Sequence, residues 1–532
     1  MLLLIACVII LIVLYLTVKP LFYWPRKGVK QKNPFLLWID NVRIIFQTVS
    51  AAELTSKVHN SFGNERYIGT CHYFQPLLFL RDPDLIKQLT VKDFEYFIDH
   101  STFVADELDP LWTRNLLSLK GDDWKDMRAT LSPSFTSSKM RAMFGLINEC
   151  ADNFVEFFKK DYHETIDVDL KDVFTRCTND VIASTAFGVT CNSLVDRNNE
   201  FYLMGKEATN FSGIWRNFSF IIMFTFPKLA DYFNIRMFSK PVNTFFTQLI
   251  KNNIEYREEN GIVRPDMIHL LMEAQKGRLK HEEVKDQEID TGFATIEESS
   301  IGKEDRPQKR NLTDDDITAQ ALIFFLAGSD SSSTLMCFAV YELTMNPDIQ
   351  KRLQDEIDET LQQCEGDVTY EALLKMKYLD MVLSETLRKW PNTTTVDRAC
   401  VKPYTIQPIH PEEQPVHLNK GDLLWIPMFA LHRDPKFYPQ PEKFNPERFN
   451  DENKANIRPY TYLPFGSGPR SCIGNRFALL EAKLIIFKLL ANFDFIVIKK
   501  TARLLKISKK QFNLNSEQGF HVGFRLRKLK SQ

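Results

Sequence analysis

The chain has 532 residues, enough for roughly two to four domains or for one large core. Its 67 basic and 68 acidic residues nearly cancel, which argues against nucleic acid as a partner; its nine cysteines are dispersed with no C-x-x-C pair, which removes zinc ribbons and redox dithiols. The odd, scattered set fits reduced thiols in a cytosolic environment, and the 42 phenylalanines call for large apolar surfaces in a core, a ligand pocket or both.

Residues 1–18 are almost wholly apolar. As a helix rising ~1.5 Å per residue they span about 27 Å, near the low end of what a bilayer requires. A cleaved signal peptide is the alternative. Against it, no basic stretch precedes the run, and bulky Phe22, Tyr23 and Trp24 follow it instead of small residues. Arg26, Lys27, Lys30 and Lys32 come next, so the positive-inside rule puts the rest of the chain in the cytosol, with Tyr23 and Trp24 at headgroup depth. This predicts a single-pass anchor at 1–18, a connector at 19–45 and one folded domain at 46–532. The sequons at Asn210, Asn217, Asn311 and Asn392 would then be unused; a luminal domain would carry glycan on some of them.

A helix is expected from about Val49 to Phe62, stopped by Gly63-Asn64. A hairpin follows, Tyr67–Cys71 and Leu77–Leu80, turning near Gln75-Pro76. Asp82-Pro83-Asp84 opens another helix. Residues 95–122 read as irregular and hold Phe97, Phe103, Val104, Leu108, Leu111 and Trp112. Trp124 and Arg128 are spaced i,i+4 and share a helix face. Residues 140–281 read as mostly helical, and the phenylalanines crowded between 201 and 246 suggest an apolar lid that also touches a membrane surface. Residues 282–310 turn polar and aperiodic, a flexible surface connection within one domain.

Thr313 to Asp316 has the form of a capping box. The helical run behind it reaches Asn346-Pro347, about thirty residues against about a dozen for an average helix, and should cross the whole molecule. Its middle, Ala327 to Thr334, carries a glycine and a run of hydroxyls that compete for backbone carbonyls, so local widening is expected there. Glu385 and Arg388 are an i,i+3 pair on a helix ended by Trp390-Pro391. Short strands with proline punctuation follow between about 393 and 430, where Thr394 and Val396 face a pocket, and Gly519-Phe520 makes a late turn.

Residues 464–474 read Pro-Phe-Gly-Ser-Gly-Pro-Arg-Ser-Cys-Ile-Gly. Gly466, Gly468 and Gly474 allow unusual backbone conformations, Pro464 and Pro469 stiffen the loop, and Arg470 stands two residues before Cys472. A helix should run from Asn475 to about Ala491. Amides of the loop and of the helix start converge near the sulfur and are expected to depress its pKa. A thiolate in such a loop suits a single axial ligand of a metal macrocycle. A buried structural thiol is the plain alternative, but it requires neither the glycines nor the arginine.

The spacing Phe465, Gly468, Arg470, Cys472, Gly474 resembles the haem-binding loop F-x-x-G-x-R-x-C-x-G of the cytochrome P-450 superfamily. The stretch Asp290–Ser299 looks like microsomal, xenobiotic-metabolising members from insects. The resemblance implies a mainly α fold with a smaller β region, a triangular helical prism enclosing haem b between the long helix and the Cys472 loop. It makes 46–532 a haem-thiolate catalytic domain with Cys472 as axial iron ligand. Trp124, Arg128, Arg398 and Arg470, with His432 less clearly, would hold the propionates; Ala327, Gly328, Pro464, Phe465 and Gly474 would line the cofactor. Glu385, Arg388 and Arg448 would brace the loop. Asp330 and Ser331 match the acid–alcohol pair of A/G-G-x-D/E-T, with serine where the family has threonine. Phe103, Trp112, Phe211, Val396 and Phe520 would touch substrate.

The implied activity is insertion of one oxygen atom from O2 into lipophilic small molecules, such as plant toxins or insecticides. Electrons would come from NADPH through a membrane-bound reductase, with cytochrome b5 as a further partner, at the endoplasmic reticulum. Lys125, Lys139 and Arg141 are candidates for the reductase-facing side. A haem-thiolate isomerase or dehydratase, or a non-enzymatic haem- or lipophile-binding protein, are the rivals.

Overall fold

The computed structural model describes residues 2–101, 109–160, 165–277, 292–295, 312–510 and 513–527. Helices dominate, with three small sheets. The strands are β1 Tyr67–His72, β2 Gln75–Leu80, β3 Ile166–Asp169, β4 Val396–Ala399, β5 Tyr404–Ile406, β6 Val416–Leu418, β7 Leu423–Ile426, β8 Phe493–Ile496 and β9 His521–Leu526. The largest sheet has the order β1-β2-β7-β4, with β2 parallel to β7; the others are β3-β9-β8 and β5-β6.

The long helix, Asp314–Met345, passes through the main core. Its start is a capping box: the Thr313 side chain accepts from Asp316 N–H, and the Asp316 carboxylate accepts from Thr313 N–H. Among the described residues it is the helix long and apolar enough to cross a membrane, yet most of it is buried inside the protein. The widening expected near Ala327–Thr334 is not found, and the helix is continuous. Hydroxyls do reach its carbonyls, Thr178 onto Ser329 at 2.9 Å and Ser333 onto Asp330 at 3.0 Å, but as extra donors that leave the helical ladder in place. Gly328 serves packing instead: a Cβ there would sit 2.7 Å from Ile182 Cδ1 on the helix Leu170–Ile182.

The hairpin turns at Tyr73-Phe74, not at Gln75-Pro76. Both turn residues have positive φ, 47° and 59°, the left-handed pair that matches strand twist in a two-residue turn, and Pro76 pairs with Cys71 inside the ladder. The connector is also more ordered than a hinge. Helix Pro34–Ile45 lies on β1, and Asn41 donates to the carbonyl of Cys71 at 3.3 Å. Trp24 does not sit at a headgroup: it is fully buried, and a side chain at Gly69 would collide with it. The Tyr23 hydroxyl donates to Asp422 at 2.5 Å and Lys27 pairs with the same carboxylate at 2.9 Å. These two residues bind the connector to the sheet edge.

Most of the polar connection 282–310 lies outside the described residues. Residues 292–295 do not behave as loose surface. Phe293 N–H donates to Asp380 at 2.9 Å, and its ring meets Phe449 and Tyr462 at 5.1 and 5.5 Å. Ala294 is buried in the main core.

If Trp24 anchors the connector, Trp24→Ala should cost about 3–5 kcal/mol of stability. A lowered denaturation midpoint with unchanged membrane binding is expected; the reverse pattern would restore the headgroup assignment.

Candidate functional site

The Cys472 loop is held by its own backbone. Cys472 N–H donates to Phe465 O at 2.9 Å, Ser471 N–H to Gly468 O at 2.9 Å and Gly466 N–H to Leu463 O at 3.0 Å. Gly468 has φ +69°, and a Cβ there would collide with the carbonyl of Thr90, so only glycine fits. The helix Asn475–Asn492 starts directly after Gly474, and Asn475 Nδ2 caps the carbonyl of Cys472 at 2.8 Å.

Cys472 is enclosed by the protein but its side chain faces open interior space. Burial pushes its thiol up, and the Gly474 amide and the Arg128 charge only partly offset this. The depressed pKa expected from the loop is therefore not a property of the polypeptide alone. Desolvation outweighs one amide and one guanidinium, and a metal cation would have to complete the stabilisation of the thiolate.

Three guanidiniums crowd the same region. Arg470 donates to the carbonyls of Ile98, Leu116 and Leu119 at 2.7, 3.2 and 2.6 Å and lies 4.1 Å from the Trp124 ring centroid. Trp124 thus serves as a buried plate under that cation. Arg128 Nη1 donates to Ser471 O at 2.9 Å. Arg398 donates to Asp397 O and Ser467 O at 2.7 and 3.2 Å, and its buried Nε has no partner. Burial lowers Arg398 to about 10; burial and the neighbouring Arg398 charge bring Arg470 to about 9. The acids nearby are engaged: Asp397 takes His100 Nδ1 at 3.0 Å and Ser101 N–H at 2.5 Å, and Asp99 stands 3.6 Å from Arg470. Buried cations with an orphaned donor fit an anionic group, as the two propionates of haem b would supply.

Glu385 and Arg388 are fully buried and bidentate, at 2.7 and 2.9 Å. Arg388 also donates to the carbonyls of His432 and Pro441, Asn445 N–H donates to Glu385 at 2.8 Å, and Arg448 approaches it at 3.5 Å. His432 belongs to this brace and not to a propionate site. Its Nε2 accepts from Leu463 N–H at 2.7 Å at the root of the loop, and burial lowers its pKa to about 3, keeping it neutral.

On the long helix, Ala327 is exposed among buried and half-buried neighbours, and half-buried Ser331 lies one turn on, along the same face. Phe324 meets Phe135 at 5.5 Å, and Phe135 lies 3.8 Å from where a Cβ on Gly474 would be, so helix and loop wall the same space. The Ser331 hydroxyl donates to Ala327 O. Asp330 is held by Lys171 Nζ at 2.9 Å and Asn513 Nδ2 at 2.7 Å. Burial raises its pKa, but Lys171 and Asn513 more than offset that and leave the carboxyl below its usual range.

A cavity of about 390 Å³ is lined by Trp112, Phe211, Val396 and Thr394, and also by His72, His100, Trp425, Lys509 and Lys510. Phe103 lies outside the described residues. Phe520 is not among the cavity residues: it is buried against Phe338 at 4.9 Å, and Lys509 and Lys510, which lie between the antiparallel partners Ile507 and Ser516, line the cavity instead. Lys509, Lys510 and Asn513 were invisible to sequence reasoning, since a polar run at a loop tip carries no periodicity. Glu481 was missed as well. It is fully buried, neither carboxylate oxygen has a well-formed hydrogen bond although Ser332 lies nearby, and burial raises its pKa to about 8.

One cysteine in a glycine-pinned loop, ringed by buried arginines beneath a core-spanning helix, defines a haem-thiolate site. The sequence profile described as Cytochrome P450 matches residues 44–522. The chain is 47% identical over 495 residues to Cytochrome P450 9e2 of Blattella germanica, covering 90% of this chain and 89% of that one. It is 40% identical over 510 residues to Probable cytochrome P450 9f2 of Drosophila melanogaster, with 94% of each covered. It is 33% identical over 524 residues to Cytochrome P450 6k1 of Blattella germanica, covering 98% and 96%. The chain belongs to the cytochrome P450 family of monooxygenases, whose cofactor is haem b.

Arg388→Ala strands a buried carboxylate and should cost about 3–5 kcal/mol, read as a lower unfolding midpoint and faster haem loss. Glu481 tests the pH behaviour. With a folded pKa of about 8 against the ordinary 4.5, the unfolded chain gives up the proton first. Stability is then full below that ordinary value, declines as pH rises through the window and levels off above it. Glu481→Gln should flatten the decline in midpoint-versus-pH curves; an unchanged slope would show the acid is not the source.

Proposed function

We propose that the protein is a membrane-bound monooxygenase that inserts one oxygen atom from O2 into lipophilic small molecules, xenobiotics among them, with electrons from NADPH delivered by a reductase. The observation that carries this reading is the Cys472 sulfur facing interior space between the braced loop and the Ala327–Ser331 face of the long helix.

Haem b, when bound, supplies the reductive activation of dioxygen. Cys472 is its sulfur ligand, and Arg128, Arg398 and Arg470 receive its propionates. The Glu385–Arg388–Arg448 network keeps the loop from shifting. Ser331 can turn its hydroxyl from Ala327 O toward the space on the Ala327 face of the helix and donate a proton there. Asp330 is an anion in this arrangement, so it acts as a relay that accepts a proton from the Lys171 side and passes it on. The cavity holds the substrate against apolar side chains such as Trp112, Phe211 and Phe220.

Membrane attachment is supported by exposed apolar side chains on neighbouring helices. Helix Leu2–Val18 exposes Leu4, Leu11 and Tyr15, and packs beside Pro34–Ile45. Phe35 and Phe46 are exposed on or just after that second helix, and Phe46 meets Phe218 of Ile214–Thr225 at 6.3 Å. Trp215 meets Phe218 at 6.3 Å and is exposed, as are Tyr232 and Phe233 further along the chain. Such an area fits an endoplasmic reticulum anchor with the phenylalanine-rich helices resting on the bilayer. On the candidate reductase side, Lys125 is paired with Glu95 at 3.0 Å and Arg141 with Glu371 at 2.7 Å.

The reduced, carbon-monoxide-treated holoprotein should show the red-shifted Soret band of thiolate ligation, and Cys472→His should lose it while still binding haem. Ser331→Thr adds the β-branch that restricts χ1. It should raise product formed per NADPH; equal or lower coupling would refute the role assigned to the hydroxyl.

A further inference from the structure

We propose that the turn 292–295 is a clasp that fixes the Cys472 loop from both ends, with Phe293 as a positioning residue for the sulfur. The inference rests on reading Cys472 as the haem ligand.

The turn belongs to a polar stretch whose sequence gives no periodic reason for packing. It closes on itself through Thr295 N–H to Gly292 O at 3.0 Å, and buried Ala294 roots it in the main core. Its two contacts with the loop's supports come from one residue. The Phe293 N–H donates to Asp380 Oδ2 at 2.9 Å, while Asp380 Oδ1 pairs with Lys483 Nζ at 2.9 Å. Lys483 is fully buried on Asn475–Asn492, the helix by which the chain leaves the loop. A buried ammonium is costly unless its carboxylate is held on it, and the Phe293 amide fixes how that carboxylate is turned.

The Phe293 ring faces the chain that enters the loop. It meets Tyr462 at 5.5 Å and Phe449 at 5.1 Å. Tyr462 stacks on His432 at 5.4 Å, and His432 accepts from Leu463 N–H, just before Pro464. Phe449 follows Arg448, a partner of Glu385. Gly292 is what lets the turn come this close. Its φ is +118°, and a Cβ there would collide with the Asp380 carboxylate. Groups at a working site must be held within about 0.5 Å, so slack at either end of the loop reaches the sulfur.

The test compares full-length, haem-loaded wild type with Phe293→Ala, Gly292→Ala and a control, Phe246→Ala. Phe246 is a buried ring that packs on Phe187, Phe201 and Phe325 instead of on the loop's supports. Two readouts are taken: hydrogen exchange of the amides in 464–474 and the iron–sulfur stretching frequency. Both turn variants should speed exchange of the loop amides roughly tenfold and shift the frequency. The control should lower the unfolding midpoint and move neither readout. If Phe293→Ala does not fold, Phe293→Leu, which keeps bulk without a ring, takes its place. Turn variants that lose stability with loop exchange and frequency unchanged overturn the proposal. So does a control that moves both as far as they do, since the turn is then ordinary packing. A wild type without the red-shifted carbon-monoxide band would remove the ligand assignment of Cys472, and loop exchange alone would then decide the clasp.

Discussion

The structure depends on concentrating positive charge in a buried place. Arg128, Arg398 and Arg470 lie close to one another at the Cys472 loop, and the described carboxylates beside them, Asp397 and Asp99, also accept from His100, Ser101 and Gly121. Three backbone carbonyls from two stretches, Ile98 and then Leu116 and Leu119, are spent on Arg470 alone. Desolvated guanidiniums are costly unless hydrogen bonds and an anion complete them. The polypeptide provides the hydrogen bonds; the cofactor's propionates are suited to provide the anion. Folding and cofactor retention are therefore coupled through the same side chains.

A second network, one carboxylate shared by two guanidiniums, carries the mechanical load. Glu385 and Arg388 sit at zero exposure, and what makes that burial tolerable is the full set of partners around them: Arg448, Asn445 N–H and the carbonyls of His432 and Pro441. His432 then passes the connection to Leu463, where the cysteine loop begins. Phe293 docks against Tyr462, whose hydroxyl donates to Ser384 O, so a distant polar stretch of the chain also leans on this brace. Each of these residues is structural, yet each limits where the sulfur can be.

The acid of the long helix ties three distant parts of the chain together. Asp330 is shared between Lys171, from a neighbouring helix, and Asn513, from the C-terminal hairpin whose tip lines the cavity. A carboxylate with two donors is held in one orientation and stays ionised, which suits a relay more than a reservoir of protons.

Local chemistry was legible in the amino-acid order. The capping box at Thr313, the glycines and arginine around Cys472 and the i,i+3 pair at Glu385 are short-range patterns, and short-range patterns are set by backbone geometry over a few residues. Family resemblance then supplied fold class and cofactor. Placement over long separations was not legible. Trp24 reads as a membrane-interface residue until Gly69 is packed on it; Phe520 reads as a pocket residue until Phe338 covers it; and the thiol reads as acidic until burial is counted. Lys509 and Asn513 acquire meaning only when the hairpin folds back on the long helix, some two hundred residues earlier in the chain (about 183 positions for Asn513 and Asp330). Sequence determined which groups were available and their local conformation; tertiary structure decided which were desolvated and what faced them, because burial and charge pairing are properties of neighbours in space, not neighbours in the chain.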